Sequence, residues 1–110
     1  MSAPPPEIVG RYFKADRRRD HEAVVDLFTA DAVVFDEGKE WRGTDGLRAW
    51  REGPASAYEY TATVVDSSVI DHDSYLVNVR LDGNFPGGTV DLRFTFTLAG
   101  KRIARLRIQP

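Results

Sequence analysis

The chain predicts a single small α+β domain, in which a strongly bent antiparallel sheet wraps around N-terminal helices to form a conical, ligand-sized pocket. Three observations carry this. The first third of the 110 residues repeats apolar side chains at helical spacing. Everything after about Tyr58 reads as strands with short polar connections. Three short helices cannot tile one face of a long twisted sheet, so the sheet must curl around them and leave a cavity at its open end.

The elements follow in order. Residues 1–6 form a proline-rich tail, expected to be flexible, and residues 7–110 one domain. Ile8, Val9, Tyr12 and Phe13 recur at helical spacing with proline confined to the start, which predicts a helix from about Pro5 to Arg18. Asp20 is a good N-cap for a second short helix with an inward stripe of Ala23, Val24, Leu27 and Phe28. Ala32 to Glu37 reads as a strand, and Gly38 turns it into a second short strand containing Trp41. Thr44 is expected to cap a third helix carrying Leu47 and Trp50, which Gly53-Pro54 ends or bends.

Four strands follow: Tyr58 to Val69, Ser74 to Leu81, Thr89 to Leu98 and Arg102 to Gln109. Their short connections predict an antiparallel meander. Along the third, Val90, Leu92, Phe94, Phe96 and Leu98 alternate with Asp91, Arg93, Thr95 and Thr97, giving one apolar face for the helices to cover and one polar face.

Composition excludes several functions. Fifteen basic and 17 acidic residues are mixed along the chain for a net charge of −2, so no field of one sign is offered to a nucleic acid or an anionic membrane. Arg17, Arg18 and Arg19 form the one basic cluster, at a predicted helix end where cations suit the helix dipole. With no cysteine there is no thiol nucleophile and no cysteine metal site, and His21 and His72 alone cannot build a zinc site, so neither metal nor cofactor is expected. The N-terminus has no signal-like pattern and no apolar run approaches spanning length, so the expected location is cytoplasmic.

Taken together, Ile8-Val9-Gly10-Arg11-Tyr12-Phe13, Leu27 to Val34, Arg42 to Trp50 and the late Ile103-Ala104-Arg105-Leu106 resemble the SnoaL-like branch of the nuclear transport factor 2-like superfamily. That group includes polyketide cyclases and ketosteroid isomerases. The resemblance covers nearly the whole chain and implies a cystatin-like conical fold. It also implies an isomerase- or cyclase-like acid/base reaction on an apolar carbonyl substrate, a small apolar ligand in the pocket, and a homodimer formed through the outer face of the sheet. Against the isomerases, Tyr12 falls on the oxyanion-hole tyrosine and Asp36 on the general-base aspartate. Leu92 stands where those enzymes carry a protonated aspartic acid. Asp91, one residue away, points to the opposite face of a strand.

Read on its own residues, Asp36 follows the apolar run Ala32 to Phe35 and shares strand parity with Val34, which aims it at the concave side, where desolvation favours a usable base. The other reading has it ending a strand and capping the Gly38 turn in solvent. Tyr12 is either a hydrogen-bond donor to an oxyanion or a core phenol. Trp41, Trp50, Tyr58, Tyr60 and Phe94 are candidate ligand-binding residues of a mostly apolar cleft, or plain core. Asp91 and Arg93 invite comparison with the water-activating set of limonene epoxide hydrolases, but their order is reversed, and cross-strand ion pairing accounts for them better. A non-catalytic binder and a dimeric assembly module are the readings that compete with an enzyme.

Overall fold

A computed structural model describes residues 6–53 and 59–110 of the protein. Three helices come first, α1 (Glu7–Arg17), α2 (His21–Asp26) and α3 (Gly43–Glu52), with strands β1 (Phe28–Asp36) and β2 (Lys39–Arg42) between the second and third. Strands β3 (Tyr60–Val69), β4 (Ser74–Gly83), β5 (Thr89–Ala99) and β6 (Arg102–Gln109) follow. The Asp20 carboxylate accepts from the Ala23 amide at 3.1 Å, as its position before α2 predicts. Thr44 is not the cap of α3. That helix starts at Gly43, two residues earlier than a Thr44 cap would place it, from an extended Arg42 whose side chain makes no capping bond.

The six strands form one sheet in the order β2-β1-β6-β5-β4-β3. The last four make the expected antiparallel meander, and β1 pairs antiparallel with β2. The seam between β1 and β6 is parallel, because the meander returns alongside β1 in β1's own direction. Three register irregularities bend the sheet: at Val65 in β3, at Ala104 opposite the Thr97–Leu98 step of β5, and between Phe28 and Val33 at the start of β1. An extra residue on one strand increases local twist and bends it, which is how a sheet of this length curls around three helices.

The concave face carries the core. Val9, Tyr12 and Phe13 of α1 and Leu47 and Trp50 of α3 pack with Val34, Val77, Val79, Phe94, Phe96, Ile103 and Leu106 of the sheet. Tyr12 makes edge-on contacts with Phe13, Phe28, Phe94 and Phe96 at centroid distances of 5.1 to 6.3 Å. On the outer face, Arg80 of β4 bonds Asp91 of β5 at 2.9 Å, the cross-strand ion pairing expected of Asp91; Arg93, for which the same was expected, donates instead to the Pro110 carbonyl oxygen at 3.0 Å, and the guanidiniums of Arg105 and Arg107 lie over the Phe35 ring. Among the described residues, no helix is long and apolar enough to cross a membrane.

Candidate functional site

Where the helices stop covering the sheet, a cavity of about 420 Å³ remains. Its floor is Tyr12 and Phe94. Asp36 and Ile108 form one wall, Tyr60 and Leu81 the other, and Val90 and Leu92 of β5 lie between them. Phe85 and Pro86, from the connection between β4 and β5, together with Glu37, Gln109 and Pro110, complete the lining.

Asp36 is placed by a tight hairpin. Glu37 and Gly38 both take positive φ, 53° and 76°, the geometry of a two-residue turn that matches strand twist. Asp36 is thus the last paired residue of β1, opposite Lys39 on β2 and Ile108 on β6. Its half-buried carboxylate lines the cavity, and Oδ2 accepts from the Trp50 indole Nε1 at 3.0 Å. Desolvation raises the carboxyl above the ordinary aspartate value of 3.8 and the Glu37 carboxylate adds to the rise, while the Trp50 bond and the Glu37 backbone amide oppose it. Only neutral donors bond this carboxylate, and no ion pair reaches it among the described residues.

Tyr12 is 2% exposed, and its phenol pKa is driven well up by burial, then by the charge of Asp16. A phenol so held keeps its proton and acts only as a neutral hydrogen-bond donor or acceptor. Tyr60 differs. Its hydroxyl donates to both oxygens of Asp16, at 2.9 and 3.1 Å, so its proton is committed away from the cavity. Asp16 in turn meets the Arg51 guanidinium at 2.9 Å, both groups buried, and Arg51 Nε donates to His21 Nδ1 at 3.1 Å. Burial, then the neighbouring Arg51 and Arg19, lower the His21 pKa and keep the ring neutral, as an acceptor must be.

The structure therefore brings Tyr12, Asp36, Tyr60 and Phe94 to one cavity. Trp41 and Trp50 do not line it. Trp50 is 1% exposed and stands behind Asp36 as its hydrogen-bond donor, because α3 turns that face onto β1. Trp41 lies opposite Val34 and packs against the edge of the core. Tyr58 lies outside the described residues. Leu81, Val90 and Ile108 are lining that the choice of aromatic candidates missed, and their place on the concave parity of late strands was the available signal; Phe85, in the connection between β4 and β5, had no such signal. The Asp16–Arg51 pair was missed as well. Asp16 is four residues after Tyr12, and Arg51 four after Leu47, so each continues a buried helical stripe. A carboxylate and a guanidinium at such positions require each other.

A family model described as a SnoaL-like domain matches residues 9–106. A protein from Sinorhizobium meliloti, solved as a candidate polyketide cyclase, is 41% identical at a TM-score of 0.89, with 96% of this chain and 95% of that one covered. SalBIII, an epoxide hydrolase/cyclase-like enzyme with a role in forming the pyran ring of the polyether salinomycin, is 26% identical at a TM-score of 0.80, with 94% of this chain and 87% of that one covered. A Catenulispora acidiphila protein with a ketosteroid isomerase-like fold, solved with trimethylamine, shares the fold at a TM-score of 0.85 and 19% identity, with 97% of this chain and 87% of that one covered. No curated protein matches the chain.

Proposed function

The chain belongs to the SnoaL-like domain family, and from that premise we propose that it is a pocket enzyme of the isomerase or cyclase type, acting by acid/base chemistry on a small apolar carbonyl compound. The observation that carries this is Asp36, a half-buried carboxylate in the cavity wall, oriented by Trp50 and with no ion-pair partner among the described residues. Trp50 holds Oδ2, and the Glu37 amide is the carboxylate's other donor. Asp36 takes a proton from the carbon next to the carbonyl, and the C–H electron pair moves into the enolate. The Tyr12 hydroxyl donates to the enolate oxygen, and Asp36 returns the proton to the same or a conjugated carbon. Leu92, a cavity residue, offers no second acid, so Tyr12 alone supports the oxyanion.

Hydrogen–deuterium exchange next to the carbonyl, followed by proton NMR for a panel of apolar ketones in D₂O, tests the proposal. Asp36→Asn is expected to slow exchange by about 10²–10⁴-fold and Tyr12→Phe by about 10²–10³-fold. Exchange by Asp36→Asn at the wild-type rate would remove Asp36 from this role. A non-catalytic binder is the second reading, favoured by Leu92; it expects tight ligand binding without exchange. We propose further that a second copy packs on the outer sheet face, which light scattering would read as a dimer.

A further inference from the structure

The cavity has a charge character that its apolar lining conceals. Among the described residues that line it there are two carboxylates, Asp36 and Glu37, and no basic side chain. Cations around it are engaged elsewhere, and Arg93 donates to the Pro110 carbonyl oxygen at 3.0 Å. Arg51 is buried against Asp16 behind Tyr60, the Arg19 guanidinium lies over the Tyr60 ring at 4.8 Å, and Lys39, opposite Asp36 across the hairpin, is exposed and makes no ion pair with it. The Asp36 carboxylate is thus partly stripped of water and bonded only by neutral donors, an arrangement that gains from any cation brought close. Tyr12 and Phe94 add aromatic rings, of a kind whose faces attract cations, and Tyr60 already carries Arg19 over its ring.

We propose that the natural ligand of this cavity bears a protonated or quaternary amine on an apolar body, with the ammonium lying in the joint field of Asp36 and Glu37 and the body against Leu92 and Phe94. The same field rejects carboxylates and phosphates, because an anion there meets two like charges and no partner. The inference rests on the cavity being the ligand site, as in the reading above, and assigns the ligand's charge, not its reaction. The two are compatible where one carbon bears the ammonium and adjoins the carbonyl, since the ammonium then acidifies the C–H that Asp36 deprotonates.

Calorimetric titration of the full chain at neutral pH and low salt with phenyltrimethylammonium, its neutral isostere tert-butylbenzene and the anion benzoate tests this. The cation is expected to bind at least about tenfold tighter than the isostere, and benzoate most weakly. In the double variant Asp36→Asn/Glu37→Gln, its fold checked by circular dichroism, that preference should shrink to less than about threefold. Equal binding of cation and isostere, a preference for benzoate, or a cation preference that survives the double variant would each overturn the proposal. Saturable binding of tert-butylbenzene in those cases leaves the ligand pocket standing. Binding by none of the three overturns the proposal and counts against the pocket reading too.

Discussion

Replacing Arg51 with methionine should be among the most damaging single changes in the protein. Arg51 is 0% exposed and its guanidinium lies 2.9 Å from Asp16, itself 5% exposed and already accepting the Tyr60 hydroxyl. Removing the cation strands a buried carboxylate whose remaining bonds are neutral, and breaking such a pair costs about 3–5 kcal/mol. A domain of this size is stable by only about 5–15 kcal/mol. In urea the unfolding midpoint of Arg51→Met should fall by roughly 2 M. The double variant Asp16→Asn/Arg51→Met keeps an acceptor for Tyr60 and carries no stranded charge, so it should recover about half of the loss or more. A single-variant loss below about 1 kcal/mol, the size expected of a surface pair, would refute the reasoning. So would strictly additive losses, because the two groups would then not depend on each other.

Three further outcomes follow from particular positions. Gly83→Ala should destabilise by about 1–3 kcal/mol in chemical denaturation, because its new Cβ would meet the Glu59 carbonyl oxygen, the Tyr60 Cβ and the Phe85 ring; unchanged stability would contradict the close approach of β3 to this turn. Gly10→Ala should stabilise by about 0.5–1 kcal/mol, since the position lies within α1, is exposed, and has nothing within 4 Å. Asp36→Asn should raise the melting temperature by a few degrees near about pH 8 and leave it unchanged near about pH 3. The sign follows from the raised carboxyl: below the ordinary value of 3.8 both folded and unfolded chains hold the proton, and as pH rises from there to the folded value the unfolded chain ionises first, so the fold loses stability over that window and does not regain it above. A variant less stable than wild type at about pH 8 would reverse that sign.

Much of the architecture was legible because its signals are local. Period-two alternation in β5 sorts Phe94 and Phe96 inward and Asp91 and Arg93 outward, while the partner of Asp91, Arg80, is set by the register of β4 on β5. Asp20 announced α2. Leu27 and Phe28 continue the inward stripe of α2 in the sequence, which puts the start of β1 at Ala32; in the structure α2 ends at Asp26 and Phe28 already pairs with Ile103 of β6, ahead of the register break. The parallel seam between β1 and β6 joins residues some seventy positions apart, and no local pattern encodes it. Within the site, Asp36 and Tyr12 were legible from strand parity, helical spacing and resemblance. Trp50 was visible as an aromatic residue on the inward stripe of α3, but its donation to Asp36 depends on how α3 seats on β1. Asp16, Arg51 and Tyr60 come from three distant elements, so their network exists only after folding.

Titration of the Asp36 side-chain carboxyl by carbon-detected NMR tests the central claim most directly. The account predicts a pKa above the ordinary aspartate value of 3.8 in the free protein, because burial outweighs the Trp50 and Glu37 amide bonds. It predicts a further rise in Trp50→Phe, where the indole donor is gone. A value at or below 3.8, unmoved by Trp50→Phe, would mean a solvated or cation-paired carboxylate and would contradict Asp36 as the base of this cavity.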